Sequence, residues 1–216
     1  MVVGRAELKL AEAAEAFAYD FRSKTVLDIG SSTGGFTEYA LGRGAKKVIA
    51  IEKGTRQMKA PPRFDPRVEL HEKTDFLEIG RKSQIRQDGD REVLSCQENA
   101  DLQIEKPVEL VLPLQVDVVL ADVSFVSLTV ILKKAQQIVN PKADFLVMLK
   151  PQFEAKPYQL QKGVVKNEKM RREIIHHFEE WLKRNRFLII KKRDNELVGK
   201  NGNRERFYYL KIAKSH

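Results

Sequence analysis

The stretch VLDIGSSTGGFTEYA at residues 26–40 decides how this chain is read: an apolar run ending in Asp28, then a loop of Gly, Ser and Thr, then a helical pattern. A short apolar run of this kind suits a strand buried in a parallel sheet. The loop after it sets backbone N–H groups and a helix N-terminus at the carboxyl end of that strand, where doubly wound sheets bind ligands. Gly30, Gly34 and Gly35 have no Cβ, so a ligand is expected to approach the backbone closely there. The spacing is D-x-G-x-x-x-G-G rather than the G-x-G-x-x-G of dinucleotide enzymes, which argues against a nicotinamide dehydrogenase.

Outward from this unit the chain alternates helix and strand. Residues 5–18 carry apolar side chains at helical spacing, and strands are expected at 25–29, 46–52, 67–72, 117–123 and 145–150. Helices are expected at 35–43, at 128–139, where Asn140-Pro141 stops the pattern, and at 168–186. FLIIKKR and RFYYLKI close the chain as two strands joined by the turn-rich GKNGN. Such alternation argues for an α/β fold with a mostly parallel sheet covered on both faces. The chain has 216 residues, a length suited to one domain spanning 1–216. Residues 80–115 mix charges without a clean period and read as a surface insertion.

Composition narrows the function. The single cysteine, Cys96, excludes an internal disulfide framework and a cysteine-based metal cluster, and fits a reducing cytoplasm. No metal ligand set is expected. The most apolar stretch is broken by Asp122 before ~20 apolar residues accumulate, so no membrane span or membrane partner is expected. The net charge of +9 is concentrated: residues 162–216 hold 16 Lys and Arg against 7 Asp and Glu, whereas residues 1–161 balance at 23 of each. Such a block is either a solvated face or a phosphate-facing surface, Lys191, Lys192, Arg193, Arg204 and Arg206 among its candidates.

The acid that ends the second strand, Glu52, lies 22 residues after Gly30 and can accept the two ribose hydroxyls of an adenosine. With Asp28 and the loop residues Gly30, Ser31, Ser32, Thr33, Gly34, Gly35 and Phe36, it reads as a site for S-adenosyl-L-methionine (SAM). Lys53 follows directly, and Thr74 and Asp75 after the third strand are candidates for the adenine amino group, a helix cap being the other reading of Asp75. Asp122 and Lys150 stand at adjacent strand ends in strongly apolar surroundings, where an unpaired charge is costly. They are expected to meet over the cofactor, as an ion pair of structural or chemical use.

Taken in order, GRAELKLAEAAEAF, the glycine loop with KKVIAIEKG, DVVLADVSFVSL, VMLKPQFEA, KGVV and GNRERFYYL resemble the TlyA (haemolysin A) family of ribosomal RNA 2′-O-methyltransferases, relatives of the FtsJ family. The resemblance spans nearly the whole chain except residues 80–115. It implies a Rossmann-like, SAM-dependent fold with a seven-stranded sheet whose last strand is antiparallel, and methyl transfer to cytidine 2′-hydroxyls of ribosomal RNA or ribosomal subunits. Matched motif by motif, it places a catalytic tetrad on Lys9, Asp122, Lys150 and Glu205. A 2′-hydroxyl must be oriented and lose its proton, which makes Lys150 the expected base or proton acceptor, with Lys9 helping to shift its protonation and position the ribose. The nearby carboxylates, which favour charged lysines, leave the proton's route open. Asp122 also falls within the SAM site. Family members typically begin with an S4-type RNA-binding domain, which the motif order does not reveal ahead of residue 1. A non-catalytic SAM- and RNA-binding module, a membrane-lytic protein and a methyltransferase of proteins or small molecules are the competing readings. The oligomeric state is not expressed in the sequence.

Overall fold

Val26, Leu27 and Ile29 are all buried, so the first strand is covered on both faces, as its unbroken apolar run requires. The computed structural model describes residues 4–81, 85–88, 91–94, 111–112, 115–165, 167–199 and 202–214, with backbone alone between residues 81 and 112. Seven strands follow in chain order: β1 (Thr25–Ile29), β2 (Lys47–Ile51), β3 (Val68–His71), β4 (Val118–Ala121), β5 (Asp144–Leu149), β6 (Phe187–Asp194) and β7 (Arg206–Ile212). They form one sheet in the order β6-β7-β5-β4-β1-β2-β3. β7 runs antiparallel to both β5 and β6, and the remaining pairs are parallel.

The helices are α1 (Arg5–Phe17), α2 (Gly35–Gly42), α3 (Leu128–Ile138), the single turn α4 (Pro151–Glu154) and α5 (Glu168–Arg184). Their ends follow local chemistry. The Ser127 hydroxyl accepts the Thr129 N–H at 3.2 Å to start α3, and Asn167 Oδ1 accepts the Met170 N–H at 2.9 Å to start α5. Lys183 and Arg184 in the last turn of α5 oppose its dipole. Ala18 ends α1 in the left-handed conformation at φ +51°.

Strand alternation sorts the core into two layers. Leu27, Ile29, Ile49, Val119, Val147 and Tyr208 pack beneath α3 and α5, against Ile131, Leu132, Phe178 and Leu182. Val26, Val48, Leu120, Met148 and Phe207 pack beneath α1 and α2, against Leu10, Ala13, Phe17, Phe36 and Ala40. Each fully buried aliphatic or aromatic side chain contributes ~1.5–3 kcal/mol. The same parity decides the site. Asp28 shares the face of Val26, Asp122 that of Leu120, Lys150 that of Met148, and Glu205 that of Phe207, so all four are directed to the layer that α1 covers.

Parts of the segment after β3, read from the sequence as a surface insertion with partial structure, form short strands. Gly80–Arg81 pairs in parallel with Val111–Leu112, and Ile85–Asp88 forms an antiparallel pair with Arg91–Leu94. Cys96 and most of the expected insertion lie outside the described residues. Two further elements were not anticipated: α4, and a small hairpin in which Leu160–Gln161 pairs with Val164–Val165.

Candidate active site

The carboxyl ends of β1, β2 and β4 open onto a cavity of about 670 Å³. Its wall includes Gly30 and Ser32 of the glycine loop, Glu52 and Lys53 after β2, Thr74 and Asp75 after β3, and Asp122 with Phe125 after β4. Glu52 organises this edge: its Oε2 accepts the Ser32 N–H at 2.9 Å, and its Oε1 accepts the Gly54 N–H at 2.6 Å. The glycine loop and the turn after β2 are thereby tied to one carboxylate.

Other expected cofactor residues have different surroundings. Asp28 is completely buried because parity turns it beneath α2, where Thr37 Oγ1 donates to its Oδ2 at 2.7 Å. Burial, with the charges of Asp122 and Glu52 adding to it and the Thr37 bond opposing, pushes its carboxyl up to about 7. Phe36 turns into the core against Phe207, with ring centroids 5.9 Å apart. A Cβ on Gly34 would stand 3.0 Å from Met58 and Pro62, and one on Gly35 would stand 2.9 Å from the Glu7 amide of α1. The close approach that the sequence reading assigned to a ligand is, at these two glycines, made by the protein itself. Ser31 is buried and Thr33 exposed, and neither forms part of the cavity wall. Asp75 caps the short turn Phe76–Glu78, accepting the Leu77 N–H at 3.0 Å, and its other oxygen pairs with Lys53 at 2.8 Å.

Of the buried oxygens without a hydrogen-bond partner among the described residues, Asp28 Oδ1 and Ser31 Oγ belong to the end of β1 and the glycine loop. Such groups are costly unless a ligand or water satisfies them. A polar, cationic ligand end above the glycine loop would do so, and the Glu52 carboxylate in the wall suits a ribose. The donor set therefore fits an adenosine-bearing sulfonium.

Beside the cavity stand two lysine–carboxylate pairs. Lys150 Nζ lies 2.7 Å from Asp122 Oδ1 in an ion pair that lacks hydrogen-bond alignment, and it donates to Ser124 Oγ at 2.9 Å. Lys9 of α1 donates to Glu205 Oε2, both side chains being buried. Antiparallel pairing of Arg206 with Leu149 brings Glu205 alongside Lys150, so the four residues expected from the motifs share one sheet edge.

Sequence reasoning did not assign the supports of this edge. Ser124 carries the Lys150 bond, and Phe125, 93% exposed at φ +63°, lies against Phe153 with ring centroids 5.2 Å apart. A bulky apolar residue beside a strand-end acid is a signal for such a feature, although ADVSFVSL alone reads as core. Glu154 accepts the Ser127 hydroxyl and the Leu128 N–H, each at 2.6 Å, joining the turn after β5 to the start of α3. Burial raises its pKa against these two bonds. Gln152 Oε1 is buried without a hydrogen-bond partner.

The expected phosphate-binding quarter is largely engaged within the protein. Lys191 Nζ donates to the Phe17 carbonyl at 2.7 Å, Lys192 pairs with Glu179 at 2.8 Å and Arg193 pairs with Glu196. Arg206 bonds Asp194 at 2.5 Å, and Arg204 stands 3.5 Å from Glu168.

A sheet in the order described, one antiparallel strand, and charged strand ends around a crevice define a Rossmann-like methyltransferase core. The model of the FtsJ-like methyltransferase family matches residues 2–212, and the chain belongs to that family. It is 29% identical over 209 residues to the 23S rRNA (cytidine-2′-O)-methyltransferase TlyA of Campylobacter jejuni, covering 96% of this chain and 70% of that one. A crystal structure of a candidate hemolysin from Lactococcus lactis superposes with a TM-score of 0.77 at 30% identity, over 96% of this chain and 87% of the other. An S-adenosylmethionine dependent methyltransferase structure from Listeria monocytogenes shares the fold, at a TM-score of 0.61 and 17% identity over 97% and 99% of the two chains. The chain spans about half the length of other curated relatives it matches, 52% and 50% in two cases. Among the described residues no helix is long and apolar enough to cross a membrane.

Proposed function

We propose that this chain is a SAM-dependent 2′-O-methyltransferase acting on cytidine ribose in ribosomal RNA. The observation that carries the reading is the pairing of Lys150 with Asp122, which lines the cavity, beside a buried Lys9–Glu205 pair on the same sheet edge. The names of relatives that methylate the cytidine 2′-oxygen support the choice of substrate.

Glu52, with Gly30, Ser32 and Asp122 in the same cavity wall, would hold SAM, which when bound supplies a methyl group already activated for attack. What is left to the protein is to align a poor nucleophile and take its proton. Lys150 reaches the rim of the cavity from the end of β5, and its Nζ is held by Asp122 and Ser124. It would orient the 2′-hydroxyl and accept its proton as the oxygen–methyl bond forms. Lys9 and Glu205 support it from the buried side, fixing α1 against the β5–β7 edge. The exposed Phe125 ring, with the half-buried Phe153 against it, offers a base a stacking surface beside that nucleophile.

Transfer of tritiated methyl from SAM to unmodified ribosomal subunits and to their naked RNA tests this. Label in RNA with wild type, absent with Lys150→Ala while calorimetry shows unchanged SAM binding, is the expected result. Equal labelling by the variant removes Lys150 from the chemistry.

A further inference from the structure

Lys191, Lys192, Arg193 and Arg206 are engaged within the protein, but two lysines that follow Lys150 in the chain are not. Residues 155–172 contain six Lys and Arg and one Glu. Lys156 and Lys162 are exposed, and among the described residues neither Nζ has a hydrogen-bond or ion-pair partner. Between them Tyr158 stands 62% exposed on the short turn Pro157–Gln159 that follows α4. A bare aromatic ring flanked by two unpaired ammonium groups, directly downstream of Lys150, has no use in the core.

The segment is also held in place. Asn203 is buried, its Oδ1 accepts the Val165 N–H and its Nδ2 donates to the Gly163 carbonyl, each at 3.0 Å. That residue lies two positions before Glu205, so the hairpin bearing Lys162 at its tip is fixed to the strand that completes the lysine–carboxylate set. Behind the hairpin is a second cavity of about 390 Å³, whose wall includes Arg171, Arg204 and, from the first turn of α5, Glu168.

We infer that Tyr158, Lys156 and Lys162 form a docking surface for single-stranded RNA flanking the methylated ribose, the ring stacking a neighbouring base and the lysines holding its phosphates. This rests on the RNA reading above. Stacking tolerates any base, and each phosphate contact adds salt dependence. The surface is separate from the Phe125–Phe153 pair and touches neither the SAM cavity nor the tetrad.

The test is fluorescence anisotropy of a fluorescein-labelled, cytidine-containing single-stranded RNA against wild type, Tyr158→Ala, Tyr158→Phe and the double variant Lys156→Ala/Lys162→Ala. Because these side chains are exposed, the variants should keep the wild-type melting temperature and SAM affinity. Tyr158→Ala should weaken binding roughly ten-fold, with Tyr158→Phe unchanged. The double lysine variant should reduce the slope of log affinity against log salt by about 1.4, at about 0.7 per phosphate contact. Wild-type affinity in Tyr158→Ala, or no RNA affinity in wild type, overturns the inference. Displacement of RNA by polyglutamate of equal charge as readily as by unlabelled RNA also overturns it, leaving a plain anion-binding face. RNA bound through Tyr158 but never methylated would sink the enzymatic reading and leave the surface standing. Methylation with a KM for RNA indifferent to Tyr158→Ala would do the reverse.

Discussion

Two lysine–carboxylate pairs of the same chemistry lie on one edge of the sheet, and they differ in their exposure. The side chains of Lys9 and Glu205 are 8% and 5% accessible, whereas those of Lys150 and Asp122 are 12% and 20% accessible and Asp122 faces a cavity. A sealed ion pair must be satisfied internally, because each charge has lost its water. An open pair can exchange partners with substrate. The difference teaches a division of labour: the Lys9–Glu205 pair fastens α1 to the sheet, and the Lys150–Asp122 pair stands open to the cavity, as the proposed action on a hydroxyl requires.

The sharpest way to break that comparison is Lys150→Ala. Loss of a positioned proton acceptor is expected to lower methyl transfer by about 10²–10⁴-fold. Because Asp122 retains access to solvent, the melting temperature should barely move. A large fall in thermal stability with modest loss of rate would mean that the open pair is structural after all. The sealed pair should behave in the opposite way. Lys9→Met or Glu205→Gln alone leaves a buried group without its partner and should cost about 3–5 kcal/mol in urea unfolding. The double variant Lys9→Met/Glu205→Leu should recover most of that loss, which a merely additive pair of defects would not do.

How much of this was legible beforehand follows from where each signal resides. The seven strands and the strand-end acids and lysines show in the sequence because unbroken apolar runs interrupted by a charge are rare. The tetrad's placement then follows from alternation, since Asp122, Lys150 and Glu205 each fall on the face of a buried apolar neighbour two positions away. The same parity, applied to Asp28, turns it under α2, away from the crevice that its position at a strand end suggested. Gly34 and Gly35 were read as room for a ligand because a sequence cannot show that Met58 and Pro62 close on the first and α1, from a different part of the chain, comes down on the second. The basic quarter left two readings open for a related reason: local charge is visible in sequence, but its carboxylate partners on α5 and in the loops are found only in three dimensions.

Asp28 provides a third case, a buried carboxylate with no cation at all. Its folded pKa of about 7 lies above the ordinary aspartate value of 3.8, so the folded state binds the proton more tightly than the unfolded chain does. Its contribution to stability is therefore greatest below about pH 4, declines as pH rises through the interval to about 7, and is lost above it. The decline is at most about 4 kcal/mol, at 1.36 kcal/mol per pKa unit. Asp28→Asn removes the titration, and its melting temperature should gain on wild type as the pH is raised from 4 to 7. Parallel curves for the two proteins would show that Asp28 is ionised without penalty, and would place a cation near it.

The smallest effect is expected where the sealed pair meets the glycine loop. Gly35→Ala would place a methyl 2.9 Å from the Glu7 amide, against backbone that has little room to yield. Overpacking of this kind costs about 1–3 kcal/mol, so the protein should fold with a modestly lowered melting temperature. Relief comes most easily if the start of α1 shifts, and α1 also carries Lys9. Methyl transfer measured well below the unfolding temperature then separates two possibilities. A fall in rate greater than the folded fraction explains would mean that the buried pair must be accurately placed for the open pair to work. An unchanged rate would mean that α1 serves as a fastening alone, and that the two pairs, although adjacent, act independently.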